Sequence, residues 1–253
     1  MKIKVNLLST LIIFILLISA IKIYSQTAEE IISKAENDVK GKSSYGTIEM
    51  VITTPDYTRT LKMESWWVGN EKALIVTKSP AKEAGNKTLK IGDQIWTYLR
   101  NTETTIKIPP SMMLQSWNGS DFTNDDLVRE SNLVKDYDLK ILTTEKINGE
   151  DCWKIQLIPK PDAPVVWGKI YYWVRKADYL PAVVQYFNER GIMVRYMVYS
   201  DIKDFHGRKM PSKWVMHNVA KKGHSTTIIV DDMYFDTKIP DKIFSYQELE
   251  RGN

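Results

Sequence analysis

Hydrophobic residues recur with helical spacing only near the start of the chain. Between Thr27 and Lys40 they follow a three-and-four repeat, and Gly41 is typical of a helix end. We therefore predict an amphipathic helix here, with an apolar face formed by Ala28, Ile31, Ile32, Ala35 and Val39. Beyond Gly41 the repeat becomes two, in short runs rich in Val, Ile, Thr, Tyr and Trp, which indicates β-strands.

The period-two runs predict two blocks of strands. The first block comprises residues 44–54, 58–68, 71–78, 86–91, 94–100 and 103–108. The second comprises residues 137–145, 151–159, 167–175, 181–188, 191–200, 212–220 and 223–235. Pairs of turn-forming residues separate most of the runs, including Pro55-Asp56, Gly69-Asn70, Asn148-Gly149 and His206-Gly207.

Short helices are predicted between the two blocks. Residues 111–116, with Met112, Met113 and Leu114 at their centre, predict a short apolar helix. Thr123 with Asp126 has the spacing of an N-terminal capping box, with Asp in place of Glu, for a helix over residues 124–131. Because no Pro/Ser-rich linker divides the chain, we expect a single domain over residues 26–253. A sheet of so many strands must curl. We therefore predict a mainly β (α+β) fold, in which an incomplete antiparallel β-barrel (half-barrel) is closed by a few helices.

The first 25 residues have the layout of a signal peptide. Lys2 and Lys4 precede an apolar run over residues 7–21, and polar residues follow. We expect cleavage near Ser25 or Gln26 and export to the periplasm. A lipoprotein would need a cysteine at the cleavage site, and the chain's one cysteine is Cys152, so we expect a mature protein without a lipid anchor.

Composition narrows the possible chemistry. Removal of the predicted signal peptide takes away three of the 35 Lys and Arg residues and leaves 32 against 31 Asp and Glu residues. The resulting net charge of +1 does not favour nucleic-acid binding. The sequence contains no His-Glu-x-x-His, Cys-x-x-Cys, Gly-x-Ser-x-Gly or glycine-rich phosphate motif. We therefore expect neither an enzyme nor a cofactor or metal. His206, His217 and His224 are interpreted as surface residues, and Cys152 as a buried structural thiol.

Large apolar side chains are unusually abundant, with eight Trp, ten Met and thirteen Tyr. Some strands are apolar on both faces; Val194 and Tyr196 alternate with Met193 and Met197. Two interpretations stay open. The helices could cover one face over an ordinary core, or the second face could form a groove for an apolar ligand.

Several segments resemble outer-membrane lipoprotein-sorting proteins of the LolA-like superfamily. They are Trp66-Trp67-Val68, Ile91-Gly92-Asp93-Gln94-Ile95-Trp96-Thr97-Tyr98, Ile108-Pro109-Pro110, the block Gly119-Ser120-Asp121-Phe122-Thr123-Asn124-Asp125-Asp126-Leu127, and Met210-Pro211-Ser212-Lys213-Trp214. The resemblance implies a half-barrel with a helical lid and a cavity for the acyl chains of a lipoprotein or lipid. The functional arginine of the best-known carrier has no clear counterpart, since that region reads Gly69-Asn70-Glu71-Lys72.

The resemblance suggests a monomeric periplasmic carrier, served by an inner-membrane transporter and an outer-membrane acceptor. Alternation along the strands and the apolar 111–116 region supply the candidate lipid-binding residues, which are Trp67, Trp96, Met112, Met113, Leu114, Trp117, Trp173, Met197 and Trp214. The alternative hypotheses are a lipid sensor or an accessory subunit of an envelope transporter with the same fold, and an enzyme with an unfamiliar site.

Overall fold

The computed structural model describes residues 26–129 and 133–251, and the predicted signal peptide lies outside this part of the chain. The described residues form one curved, open antiparallel sheet of 13 strands. Its strand order is β6-β5-β4-β3-β2-β1-β13-β12-β11-β10-β9-β8-β7, so the two sequence blocks meet where β1 pairs with β13. The predicted mainly β fold is confirmed.

The strands are joined largely by tight turns. Their bounds are β1 Ser43–Thr53, β2 Thr58–Val68, β3 Lys72–Ser79, β4 Lys87–Ile91, β5 Gln94–Leu99, β6 Thr104–Lys107, β7 Tyr137–Ile147, β8 Glu150–Pro159, β9 Lys169–Arg175, β10 Pro181–Phe187, β11 Met193–Phe205, β12 Arg208–Asn218 and β13 Ser225–Phe235. The β11–β12 hairpin is longer than predicted, because pairing continues to the turn at His206-Gly207, where both residues have positive φ.

In the described part of the chain, four α-helices accompany the sheet: α1 Ala28–Lys40, α2 Asn124–Arg129, α3 Leu133–Asp136 and α4 Tyr246–Glu250. Helix α1 begins with a capping box in which Thr27 and Glu30 exchange hydrogen bonds of 3.1 Å. It ends at Gly41, whose φ of 66° lies in the positive region that favours glycine. The predicted 111–116 helix is instead a 3-10 turn over Pro110–Met112, without buried residues.

The two faces of the sheet are covered by different parts of the chain. Helix α1 and the segment between β6 and β7 pack on the concave face, over the largest apolar core. The C-terminal segment packs on the convex face of β3 to β5, where Phe244 and Leu249 join a second cluster. Within the described residues, none of the helices has the length and apolarity that a membrane crossing requires.

Candidate functional site

A cavity of about 210 Å³ lies between the concave face of the sheet and its cover. Its floor comes from both halves of the sheet, with Ile75 on β3, Val184 on β10 and Ile228 on β13. One wall is the C-terminal half of α1, at Ala35 and Val39. The lining is predominantly apolar and aromatic, as in binding sites for apolar ligands.

The opposite wall is the segment of residues 109–129, which we call the lid segment. Trp117 and Phe122 of this segment are buried and line the cavity. The Trp117 indole Nε1 donates a hydrogen bond of 3.1 Å to Thr88 Oγ1 on β4. An antiparallel bridge between Ser116 and Thr123 folds the segment back on itself. The lid segment is thereby held against the sheet by its own side chains.

A second attachment of the lid segment is at Asp121. The Asp121 backbone N–H donates to Thr226 Oγ1 at 2.8 Å, and the Thr226 hydroxyl lies 2.9 Å from Asp121 Oδ2. Thr226 is fully buried on β13. Part of the family-like block Gly119-Ser120-Asp121-Phe122 is therefore explained by the fit of the lid segment to the sheet.

A third attachment is a buried ion pair. Both terminal guanidinium nitrogens of Arg195, on β11, contact the Asp126 carboxylate, with Nη1 to Oδ2 at 2.7 Å. The guanidinium also lies 4.5 Å from the Trp167 ring centroid and 4.7 Å from that of Tyr186. Removing one partner of such a pair leaves an uncompensated buried charge, so each side chain depends on the other.

The predicted capping arrangement at Thr123 is also present. The Thr123 N–H donates to Asp126 Oδ2 at 2.7 Å, and the Asp126 N–H donates to Thr123 Oγ1 at 3.2 Å. Asp126 therefore caps α2 and holds Arg195 with the same carboxylate. This second contact could not be predicted from the spacing of Thr123 and Asp126.

Four of the sequence-predicted residues are brought together at the cavity: Trp67, Trp117, Met197 and Trp214. They come from β2, the lid segment, β11 and β12. Their role in binding lipid stays a prediction.

The other five candidates lie elsewhere. Trp96 lies on the convex face and contacts Tyr246 edge to face, with ring centroids 5.0 Å apart. Trp173 packs with Cys152, and its indole Nε1 donates to Glu145 at 2.8 Å. The strand pattern predicted alternation but not which set of side chains points inward.

Met112, Met113 and Leu114 also lie outside the cavity lining. Leu114 is 59% exposed, because the region forms an outward turn instead of the predicted helix. The lid segment contributes Trp117, Phe122 and Leu127 to the lining instead.

The sequence analysis missed several aromatic lining residues, namely Phe122, Tyr172, Tyr186 and Tyr199. Tyr199 could have been found, because it lies two residues after Met197 on the same strand and therefore shares its face. Phe122 was within the family-like block but gave no periodic signal.

Other candidate chemistry is dispersed. Cys152 is fully buried, and burial raises the pKa of its thiol. His206 contacts Asp232 at 2.8 Å and stacks on Tyr234, whereas His217 stacks on Tyr196. Within residues 26–129 and 133–251, no group of three or more His, Cys, Asp or Glu side chains could hold a metal ion.

Comparison with solved structures defines the class of fold. A DUF1329 family protein from Desulfovibrio piger superposes with a TM-score of 0.81 at 21% identity, covering 88% of this chain and 97% of the other. A domain described as an outer membrane lipoprotein-sorting protein, from Vibrio parahaemolyticus, gives 0.77 at 23%, covering 88% and 98%. A LolA superfamily protein from Nitrosomonas europaea gives 0.75 at 23%, covering 89% and 100%.

The resemblance to LolA-like proteins is therefore confirmed for the fold. A family described as "Uncharacterized protein" matches residues 69–251, and the chain belongs to that family. The search of curated proteins found no match.

Proposed function

We propose that this protein is an envelope carrier that binds the acyl chains of lipoproteins or lipids in the concave cavity and moves them towards the outer membrane. The observation that carries this proposal is the apolar cavity enclosed between the sheet, α1 and the lid segment. The similar LolA fold of the Nitrosomonas protein adds support.

The physical need for such a container is large. Each methylene moved from an apolar environment into water costs about 0.8 kcal/mol, so a chain of roughly fourteen carbons needs shielding worth on the order of 10 kcal/mol. Trp67, Met197 and Trp214 offer adaptable apolar contacts of the kind an irregular alkyl chain requires. Release then depends on an acceptor that binds the chain better than the cavity does.

Cargo entry, in this proposal, requires the lid segment to move. The cavity of about 210 Å³ is smaller than the roughly 300–1,000 Å³ typical of ligand pockets. Opening would break the contacts of Trp117 with Thr88, of Asp121 with Thr226 and of Asp126 with Arg195. These polar contacts can re-form after closure, which suits a reversible lid.

We propose that residues 1–25 direct export to the periplasm, that residues 26–253 act as a single monomeric domain, and that binding is non-catalytic. An inner-membrane transporter and an outer-membrane acceptor would load and unload the carrier.

Mass spectrometry of lipids extracted from the mature protein, purified from the periplasm without detergent, tests this function. A carrier should yield stoichiometric phospholipid or acylated peptide. Ser65→Phe, which fills the cavity from β2, should lose that lipid, whereas the same change at exposed Ser111 should keep it. Wild-type protein that is empty and takes up no apolar probe would contradict the carrier and favour the sensor or accessory subunit.

A further inference from the structure

A lysine is buried on the same concave face as the proposed cargo. Lys90 on β4 pairs with Ala73 on β3, and Ala73 pairs in turn with cavity-lining Trp67 on β2. Directly paired residues share a face of a sheet, so the Lys90 side chain lies on the concave side. Thr88, two residues earlier on that face, accepts the Trp117 indole hydrogen bond.

The Lys90 ammonium group contacts a residue of the cavity lining. Its Nζ donates to the backbone carbonyl of Asn70, in the β2–β3 turn. Asn70 and Gly69 line the cavity together with Glu36 and Lys40, which belong to the C-terminal half of α1. The ammonium is therefore one hydrogen bond away from a polar part of the cavity lining.

This ammonium group is poorly compensated by the described part of the chain. Lys90 is only 1% exposed, and none of the described carboxylates lies within ion-pair distance of it. An ammonium has three N–H donors, and the Asn70 carbonyl accepts one. Leaving a buried charge in this condition is unfavourable unless another group satisfies it.

The Lys87 side chain, on the same strand, shows how the protein itself can compensate a buried lysine. It lies on the convex face, where its Nζ donates to the carbonyls of Glu248 at 2.8 Å and Arg251 at 2.6 Å, at the end of α4. Two acceptors and a helix C-terminus explain the Lys87 charge structurally. Lys90 has one described acceptor, the Asn70 carbonyl.

We infer that Lys90 is the binding site for an anionic headgroup, a carboxylate or a phosphate, of an amphiphile whose alkyl chain occupies the cavity. This inference rests on the proposed carrier function and adds the charge and orientation of the cargo. The head would lie at the part of the lining formed by Asn70 and Lys40, with the chain running towards Trp117 and Phe122. A charge-assisted hydrogen bond would satisfy the buried ammonium.

The protonation state of Lys90 supports the same geometry. Burial, together with the charge of Lys40 and against the opposite effects of Glu71 and Asp93, lowers the pKa of Lys90 to about 8. The group is therefore mostly charged at neutral pH and loses its charge on modest alkalinisation. A bound anion would raise the pKa of Lys90 by favouring the ammonium form.

Displacement of a neutral fluorescent probe by three ligands of equal chain length provides the test. The ligands are dodecanoate, dodecyl phosphate and dodecanol. At neutral pH, wild-type protein should bind at least one anion about tenfold more tightly than the alcohol. The tighter anion distinguishes a fatty-acid carboxylate from a phosphate head. Between about pH 7 and 9.5 the preference should disappear, because Lys90 loses its proton.

Two lysine variants test whether the preference for the anion depends on Lys90. Lys90→Met should abolish the preference while keeping dodecanol affinity within about twofold. The matched control is Lys72→Met, which removes the same charge from a residue paired with Ile91, where the side chain forms an ion pair with Asp241 at 2.9 Å. The control should retain the preference for the anion.

The results that would contradict the headgroup site differ from those that would contradict the carrier function. Equal wild-type binding of all three ligands, or a preference that survives in Lys90→Met, would overturn the headgroup site and leave the carrier intact. Failure of wild-type protein to bind any of the three would overturn both. If Lys90→Met does not fold, the wild-type pH series decides: a lost preference supports the site, and a persistent one overturns it.

Discussion

The concave and convex faces of β3 to β5 are both covered by other parts of the chain, yet they are closed in different ways. On the convex face, Phe244 and Leu249 pack into a cluster with Leu74, Leu89 and Trp96. On the concave face, the lid segment is attached largely through polar groups and borders a cavity. The C-terminal segment completes a hydrophobic core, whereas the lid segment encloses a cavity.

This difference shows why an apolar strand face does not by itself indicate a ligand site. Trp67 and Trp96 look equivalent in the sequence, as tryptophans in strands of alternating pattern. Trp67 lines the cavity, while Trp96 is covered by the C-terminal segment. The covering element, which is distant in sequence, decides the outcome.

The strongest way to break the concave cover is to remove its buried carboxylate. Asp126→Ala should lower the free energy of unfolding by about 3–5 kcal/mol, because Arg195 is left charged and buried without its partner. Urea denaturation measures the change. The double variant Asp126→Leu with Arg195→Met should recover most of the stability. A loss below about 1 kcal/mol in the single variant would show that the pair does not hold the lid segment.

On the convex face, the matching change is Leu249→Ala. Leu249 is fully buried in the C-terminal cluster, so the cavity it leaves should cost about 2–5 kcal/mol of unfolding free energy. Affinity for a neutral apolar probe should stay unchanged in the folded protein. Tyr246→Ala, at a residue that is nearly half exposed, should cost less. A parallel loss of probe affinity in Leu249→Ala would mean that the two faces are coupled.

Lys87 and Lys90 are buried on opposite faces of β4, and their protonation makes the stability of the protein depend on pH. The unfolded chain holds the Lys90 proton up to about 10.5 and the folded chain only up to about 8, so unfolding takes up protons between these values. This group therefore makes the protein more stable as pH rises through that range. The full displacement corresponds to on the order of 3 kcal/mol.

Lys90→Met isolates this contribution from that of Lys87, whose pKa burial also lowers. The difference in unfolding free energy between the variant and wild type should be largest near pH 7, in favour of the variant, and shrink towards pH 10. Denaturation at several pH values measures it. A difference that does not change with pH would contradict a buried, titrating Lys90.

The smallest effect is expected outside the cavity. Leu114→Asp changes an exposed side chain of the lid segment, so probe affinity should change less than about twofold and stability by less than about 0.5 kcal/mol. The sequence interpretation, which placed Leu114 in the lipid site, expects a large loss of binding. Probe titration distinguishes the two.

Period-two alternation and turn residues were sufficient to predict the strands and the mainly β fold. The Thr123–Asp126 cap was also predictable, because it depends on residues three positions apart. The ion pair of Asp126 with Arg195 joins residues that are 69 positions apart, and the contact of Tyr246 with Trp96 spans about 150 positions. Local sequence patterns cannot predict contacts over such separations. The helix predicted over residues 111–116 is found only in part, since the structure has a short 3-10 helix over Pro110–Met112.

Photoaffinity labelling with a long-chain alcohol that carries a diazirine at its terminal carbon tests the central claim most directly. Peptide mapping by mass spectrometry should place saturable labels on cavity-lining residues such as Trp117, Phe122 and Met197, with labelling competed by unmodified alcohol. Labels confined to the convex cluster around Trp96 and Tyr246, or labelling without saturation, would contradict an acyl-chain site on the concave face.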